Sequence, residues 1–244
     1  KLLQRLLSYQ IVNHGWTGNG IRYKCPGGRM SGDMNTALGN CILMSIIIAV
    51  AMRELGLSPG QWDMLCDGDD ALIFASATTL RPGDLVAQMA RAGMTIKIES
   101  VAQSVEQVEF CQSKPVITED GEKMVRDPVK VLTSALASNK WFREPKYIDG
   151  HLTRLGKCYL SICMGVPILQ EFALAMLRNG HGRVLRSQMM SGCMYKAVQE
   201  FRSHGGQIKP VKISSLARLS FAEAFEISPV EQLLVEKLLA YTVL

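Results

Sequence analysis

A long uncharged run constrains this sequence more than any other feature. From Met34 to Met52 no residue carries a charge, and the last twelve residues of the run are almost entirely apolar. A bilayer span needs roughly 18 to 20 apolar residues, so the apolar part is too short for one. Polar side chains occupy the first turns, at Asn35, Thr36 and Asn40. We therefore predict a helix from about Met34 to Leu55 that is buried in a globular core, in preference to a membrane helix.

Two apolar runs on either side of an acidic turn predict a β-hairpin. Gln61–Cys66 and Ala71–Ala75 are separated by Asp-Gly-Asp-Asp at 67–70, and Asp-Gly is a strong turn signal between strands. Adjacent carboxylates repel each other unless a cation neutralises them, and Mg²⁺ prefers such hard oxygen ligands. The pair Asp69 and Asp70 therefore indicates a magnesium site, with a solvated polar turn as the alternative.

A glycine-rich loop leads into the predicted long helix. Three glycines between residues 27 and 32 permit unusual backbone conformations and the close approach of a ligand, and Ser31 or Asp33 is expected to cap the helix. Thr36 and Asn40 are four residues apart, so they share one helical face. A hydroxyl and an amide on that face suit recognition of a sugar hydroxyl. A capped core helix with internally bonded polar groups is the alternative.

The remaining pattern predicts an α/β fold that becomes mainly helical after residue 127. The expected elements are helices at Lys1–Val12 and Pro82–Ala92, strands at Ile21–Lys24 and Met94–Ile98, and a second hairpin at Val105–Thr118 that turns near Cys111-Gln112-Ser113. Beyond Arg126-Asp127-Pro128 the strand signals fade, and helices broken by Gly and Pro follow. We therefore expect two domains, 1–126 and 127–244.

The local distribution of charged residues indicates possible binding partners better than the overall composition does. The 244 residues carry a net charge of only +5, but Arg178–Arg218 contains eight basic residues against one acid, Glu200. Such a patch is typical of a surface that binds nucleic-acid phosphates, with helix surfaces that face different directions as the alternative. The seven cysteines lack Cys-x-x-Cys pairs and zinc-ligand spacing, which favours a reduced intracellular setting. We find no secretory signal pattern.

Together the glycine-rich loop and the acidic hairpin closely resemble the active-site half of the RNA-dependent RNA polymerases of tombusvirus-like positive-strand RNA viruses. In family order, the similar segments are Arg29–Asn40 (motif B), Cys66–Asp70 (motif C), Gly93–Ile98 (motif D), Val108–Gln112 (motif E) and Val125–Leu132 (the start of the thumb). The resemblance is continuous from about Leu2 to Leu136. It implies a right-hand palm, here partial and without the motif A strand, followed by a mainly α-helical thumb.

The resemblance also implies site residues. Asp69 and Asp70 would hold catalytic Mg²⁺ or Mn²⁺ for nucleotidyl transfer to an RNA 3′-hydroxyl by a two-metal mechanism, with Lys97 as a general acid toward pyrophosphate. The nucleotide-binding residues would be Ser31, Gly32, Asp33, Thr36 and Asn40, among which Ser31, Thr36 and Asn40 would hold the ribose 2′-hydroxyl. Primer support would come from Phe110, Cys111 and Gln112, and RNA binding from Arg178, Arg183 and Arg186. For Lys97, the alternative is a solvated lysine at the end of a strand. For the turn at residues 110–112, the alternative is a packed structural hairpin.

An acid-free amino terminus shows where the resemblance stops. No Asp or Glu occurs before Asp33, whereas the family carries a further metal-binding aspartate, in motif A, ahead of motif B. We therefore expect a fragment of a longer polymerase that is inactive alone, and whose missing upstream part supplies motif A and the fingers. The expected partners are the RNA template and nascent strand, nucleoside triphosphates and that upstream part.

The family resemblance also implies a cellular location, and the residues leave two alternative functions open. We expect no direct membrane anchor in this chain, and a place in the host cytoplasm at membrane-associated replication sites through other parts of the protein. The alternative function is a non-catalytic RNA-binding or scaffolding subunit with a polymerase-like fold. A reverse transcriptase is the nearer enzymatic rival, but Ser31, Thr36 and Asn40 favour selection of ribose.

Overall fold

The chain forms two compact units in a computed structural model that describes residues 1–28, 30–137, 147–181 and 209–243. They are the amino-terminal unit, Lys1–Ile98, and the carboxyl-terminal unit, Glu99–Leu244. This division precedes the domain boundary expected near residue 127. The reason is packing, because Val116 and Val125, on a hairpin before residue 127, are buried in the helical core of the carboxyl-terminal unit.

The amino-terminal unit combines hairpins and helices. Among the described residues its elements are α1 (Leu2–Ser8), β1 (Val12–Trp16), β2 (Arg22–Pro26), α2 (Thr36–Glu54), β3 (Trp62–Asp67), β4 (Asp70–Ala75) and α3 (Pro82–Arg91). β1 pairs with β2, and β3 pairs with β4, both antiparallel. The long helix, the acidic hairpin and the helix near residue 82 are therefore confirmed.

The first helix ends earlier than predicted because the residues after it form a strand. Gly15 of β1 lies opposite Tyr23 of β2. A side chain at position 15 would collide with the tyrosine ring, since a Cβ there would lie 2.2 Å from the ring carbon Cζ. Gly15 therefore allows the Tyr23 ring to lie over the strand.

Helix α2 is buried along only part of its length, which differs from the expected core helix. Ile48, Ala51 and Met52 are its buried side chains, and they share a cluster with Leu85 and Met89 of α3. Several other apolar side chains of α2 are exposed, at Leu38, Ile42, Leu43, Ile46 and Val50. By length and composition, α2 is the one helix in the described part of the chain that is able to cross a membrane. Core helices of soluble proteins can have the same length and apolar composition.

The carboxyl-terminal unit is mainly helical around one hairpin. Its described elements are a 3-10 turn at Val105–Gln107, β5 (Ser113–Thr118), β6 (Gly121–Arg126), α4 (Pro128–Ser134), α5 (Ile148–Cys163), α6 (Leu169–Asn179), α7 (Ser215–Phe225) and α8 (Pro229–Tyr241). Helices α5 and α6 approach closely because Gly156 has no side chain. A Cβ there would lie 2.8 Å from the Leu177 side chain and 3.0 Å from the Ala173 carbonyl oxygen. Phe172 of α6 and Phe221 of α7 belong to one buried cluster.

Two strand predictions need correction. Met94–Ile98 forms no strand, because a strand requires a neighbour to accept its hydrogen bonds and each sheet among the described residues is a single hairpin. The hairpin predicted at Val105–Thr118 is displaced along the chain. Its tight turn forms, with a bridge between Phe110 and Ser113, but β5 then pairs with β6.

Candidate active site

The acidic hairpin ends in a two-residue turn that displays its carboxylates. Asp67 ends β3 and pairs with Asp70, so Gly68 and Asp69 form the turn. Gly68 has a φ of +72° and Asp69 has no positive φ, which is the pattern of a type II′ turn with glycine at its first central position. All three aspartates are exposed. The structure therefore places both predicted metal-binding residues side by side at a hairpin tip.

A sulfur contact attaches this turn to α2. The Gly68 N–H donates a hydrogen bond to Cys41 Sγ at 3.2 Å. The Cys41 thiol lies 3.9 Å from the Cys66 carbonyl oxygen, and the Cys66 thiol lies 3.6 Å from the Cys41 carbonyl oxygen. These contacts hold the helix that carries Thr36 and Asn40 against the hairpin that carries the carboxylates.

Sequence interpretation missed Cys41 and Cys66. Burial raises the pKa of the Cys66 thiol above its usual value, and the neighbouring Cys41 adds to the effect. Position was the available signal, since Cys41 directly follows Asn40 and Cys66 directly precedes the acidic turn. Because the two cysteines are far apart in the sequence and match no thiol motif, their contact is visible only in the structure.

Asp69 and Asp70 supply ligands for a cation but do not complete a site. Mg²⁺ is commonly held by one or two protein carboxylates together with water and substrate phosphates, which this pair fits. Within the residues that the structure describes, no group of three or more His, Cys, Asp or Glu side chains is placed to hold a metal ion. The hairpin therefore offers an open arrangement of two carboxylates to which other ligands must be added.

Bonds to Met30, and not a helix cap, close the glycine-rich loop. The Asp33 carboxylate accepts the Met30 N–H at 3.3 Å, and the Thr36 hydroxyl donates to the Met30 carbonyl oxygen at 3.0 Å. The residue at the N-cap of α2 is Asn35, which makes no side-chain capping bond. The expected capping by Ser31 or Asp33 is therefore wrong, because the Asp33 carboxylate turns back to the loop.

The other predicted nucleotide-binding residues lie in two places. Ser31 and Gly32 are on the exposed loop, where Gly32 has a left-handed φ of +91° that favours glycine. Asn40 is half-buried on α2, one turn after Thr36 and next to the cysteine that contacts the hairpin. The segment thus runs from an exposed loop to the contact between helix and hairpin.

Lys97 lies on an irregular segment after α3 and is exposed. The adjacent Ile96 packs against the small core that contains Ile48 and Met89. The segment is therefore attached to the amino-terminal unit, although not as the expected strand. The role of Lys97 as a general acid stays a prediction.

The predicted primer-supporting turn is strained. Phe110 and Ser113 exchange backbone hydrogen bonds of 2.9 and 3.0 Å, and the central residues Cys111 and Gln112 have φ values of 51° and 59°. A left-handed conformation costs a non-glycine residue about 1–2 kcal/mol. A cavity of about 340 Å³ adjoins the turn, and its lining includes Gln112, Lys114, Asp127, Lys130 and Glu226. Both a packed hairpin and a primer support fit this geometry.

Part of the basic region serves helix packing. Arg178 pairs with Glu171 at 2.9 Å and donates to the Leu239 carbonyl oxygen at 3.0 Å, which joins α6 to α8. Arg218 is paired with Glu236 at 2.8 Å. The other two predicted RNA-binding residues, Arg183 and Arg186, lie outside the described residues. Binding of RNA by this region therefore stays a prediction.

Known proteins are similar to this chain over almost its whole length. The sequence matches the family model of viral RNA-dependent RNA polymerases over residues 1–243. The RNA-directed RNA polymerase of melon necrotic spot virus is 33% identical over 93% of this chain and 29% of its own length. Those of carnation mottle virus and turnip crinkle virus are 31% and 30% identical, each over 96% of this chain and 30% of its own length. The chain therefore spans about 30% of the length of the curated relatives it matches.

Proposed function

This chain belongs to the viral RNA-dependent RNA polymerase family, of the tombusvirus type that motifs B and C resemble, and we propose that it forms part of the catalytic core that copies an RNA template. The observation that supports this best is the exposed pair Asp69 and Asp70 on a turn held to α2. An acidic pair at a fixed position, open to solvent, suits nucleotidyl transfer, because both RNA and a triphosphate must reach it.

We assign metal binding to Asp69 and Asp70. A bound Mg²⁺ or Mn²⁺ would supply activation of the 3′-hydroxyl and neutralisation of phosphate charge. The two carboxylates hold oxygen ligands at one hairpin tip, and the Gly68 N–H bond to Cys41 limits the movement of that tip. A further carboxylate is expected from a segment outside this chain, which would complete the open arrangement.

Nucleotide selection falls to the loop and the start of α2. The Thr36 hydroxyl uses its proton toward the Met30 carbonyl oxygen, so its lone pairs stay available to accept a bond from ribose. Asn40 can both donate and accept through its amide, and the exposed Ser31 hydroxyl can do the same. Lys97 would give a proton to pyrophosphate, and the turn at Phe110–Gln112 would support the primer end.

The proposed architecture assigns residues 1–126 to a partial palm and 127–244 to the thumb. Residues 99–126 then belong to the palm by motif but to the carboxyl-terminal unit by packing. Template RNA, the nascent strand, nucleoside triphosphates and the upstream part of the polymerase are the proposed partners. We propose that the complete enzyme acts at membrane-associated sites in the host cytoplasm.

Nucleotide incorporation by the complete polymerase tests the proposal. Asp69→Asn should lower template-dependent incorporation at least about 100-fold, because several kcal/mol of transition-state stabilisation are lost. Asp63→Asn is the matched control, since Asp63 is an exposed aspartate of the same hairpin away from the tip, and it should retain activity within about twofold.

Two further results would separate the alternatives. Unchanged incorporation by Asp69→Asn, with RNA binding retained, would favour the non-catalytic RNA-binding or scaffolding function. Asn40→Asp should reduce the preference for ribonucleotides over deoxyribonucleotides, because a carboxylate cannot donate a bond as the amide does. Residues 1–244 alone should not extend a primer.

A further inference from the structure

We propose that Cys41 and Cys66 form a redox-sensitive thiol pair, whose oxidation to a disulfide locks the turn that carries Asp69 and Asp70. The chemical partner is a two-electron oxidant of the hydrogen peroxide class. The pairing itself depends only on the positions of the two cysteines. Its effect on RNA synthesis rests on the proposed function.

Geometry brings the two sulfurs together. Each thiol lies near the backbone carbonyl oxygen of the other cysteine, at 3.6 and 3.9 Å. Such reciprocal contacts require the two residues to face each other across the space between α2 and β3. A disulfide requires Cα atoms about 4.4–6.8 Å apart and facing Cβ atoms, and the reciprocal thiol-to-carbonyl contacts bring the two residues face to face.

Accessibility also suits the reaction. Both cysteines are free thiols of intermediate burial, whereas Cys158 and Cys163 of the carboxyl-terminal unit are buried. A small oxidant therefore has a path to the pair from solvent. The contact of the Cys66 thiol with the Cys41 carbonyl oxygen at 3.6 Å directs that side chain at α2.

Oxidation of the pair balances with one molecule of peroxide. The Cys41 sulfur attacks a peroxide oxygen, because burial raises the pKa of the Cys66 thiol and disfavours its reactive thiolate. The O–O bond breaks, and a sulfenic acid and one water form once the thiol proton is transferred. The second sulfur attacks the sulfenic sulfur, the S–O bond breaks, and the second thiol proton leaves with the hydroxyl as water. Two thiols and one peroxide thus give one S–S bond and two waters.

The bond would alter the catalytic turn directly. Cys41 Sγ is the atom that accepts the Gly68 N–H, and Cys66 is separated from Asp69 by only two residues. Drawing the sulfurs to about 2.05 Å must shift this contact and the hairpin tip. Because a displacement of about 1 Å at a reacting centre can lower a rate about 100-fold, we expect at least a tenfold loss of nucleotide incorporation.

Treatment of the complete polymerase with hydrogen peroxide tests the proposal. Free thiols are then blocked, and the protein is digested without reduction for mass spectrometry. We expect a peptide pair joined through Cys41 and Cys66, together with a loss of incorporation that dithiothreitol restores. Cys41→Ser should abolish the joined peptides and the reversible loss. The matched control Cys25→Ser, at another half-buried cysteine of the same unit, should retain both.

Three outcomes would overturn the proposal. The first is the absence of joined peptides at a peroxide concentration that oxidises Cys25. The second is a reversible loss of activity that persists in Cys41→Ser, and the third is the presence of joined peptides with activity unchanged. If Cys41→Ser fails to fold, the peptide analysis of the unsubstituted enzyme still decides. An untreated, reduced enzyme that incorporates no nucleotide would instead contradict the proposed function.

Discussion

The two units differ sharply in how much core each one builds. Among the described residues, the main cluster of the carboxyl-terminal unit contains fifteen buried apolar residues, whereas that of the amino-terminal unit contains six. Yet the amino-terminal unit carries the candidate metal ligands and the nucleotide-binding segment. The part of the chain with most of the candidate chemistry is therefore the part with the smaller core.

Both units expose apolar side chains, among them Leu233, Leu234 and Leu238 of α8 in the carboxyl-terminal unit. One side of α2 exposes a row of apolar residues, and the outer face of the acidic hairpin exposes Leu65 and Phe74. Contiguous apolar surface of this kind marks an interaction site or an aggregation hazard.

The strongest test of the contrast compares two phenylalanines. Phe172→Ala should lower the free energy of unfolding of the carboxyl-terminal unit by about 3–5 kcal/mol, because it leaves a cavity at a side chain only 2% exposed. Phe74→Ala, at a side chain 47% exposed in the amino-terminal unit, should lower that of its own unit by less than about 1 kcal/mol. Hydrogen exchange with urea, read separately for each unit, measures both. Equal losses would show that the units are equally packed.

Removal of one partner of the partly buried Arg218–Glu236 ion pair should cause the next largest loss of stability. Glu236 binds Arg218 through both of its oxygens and also accepts the Ile168 N–H at 2.9 Å. Glu236→Ala would leave the Arg218 charge unpaired at low exposure, and should destabilise the carboxyl-terminal unit by about 2–4 kcal/mol. The surface pair of Arg53 with Glu54 provides the control, since Glu54→Ala should change stability by less than about 1 kcal/mol.

Acidification should weaken the carboxyl-terminal unit through His151. Burial, with the positive charge of Arg154 beside it, lowers the pKa of His151 to about 4. The unfolded chain binds a proton near pH 6.5, while the folded unit does not until about pH 4. Stability is therefore fully present above pH 6.5 and falls between pH 6.5 and 4, by on the order of 2–3 kcal/mol.

Denaturation curves at pH 7.5 and 4.5 measure this loss. His151→Gln should reduce the difference in the free energy of unfolding between pH 7.5 and pH 4.5. His14→Gln, at an exposed histidine of the amino-terminal unit, should leave it unchanged. A loss of the same size in both variants would assign the pH dependence to other groups.

The smallest effect on stability should come from the exposed side of α2. Ile42→Gln, at 50% exposure, should change the free energy of unfolding by no more than about 0.5 kcal/mol and reduce aggregation of the isolated chain, measured by light scattering. Ile48→Gln, on the same helix at 1% exposure, should instead destabilise the amino-terminal unit by a few kcal/mol. Increased aggregation in Ile42→Gln would contradict our description of this surface.

Local patterns predicted the elements whose signals lie within the segment itself. Helix α2 and the hairpin around Asp69 are set by an uninterrupted apolar run and by a turn sequence, so they appeared at nearly the expected residues. The two adjacent carboxylates of the site follow from the same local pattern. Family membership was also readable, because motif B is long and specific.

Long-range partners decided the rest. The segment Met94–Ile98 has a strand-like sequence but finds no pairing strand in the described residues. Val12, expected to end the first helix, instead begins β1, because β2 is available to pair with it. The contact of Cys41 with Cys66 and the capture of Arg178 by Glu171 join residues that no short pattern relates. Such features depend on packing and cannot be derived from spacing.

At Cys111 and Gln112 the left-handed backbone favours glycine, whereas the sequence carries two larger side chains. Two successive left-handed residues are most easily accommodated by Asn-Gly, so random substitution screened for thermal resistance alone should drift toward glycine at these positions. Screening for RNA synthesis would retain the larger side chains if they touch the nascent strand. The sequences that survive under each selection would then report, without any structure, whether the strain of this turn is tolerated for the sake of its side chains.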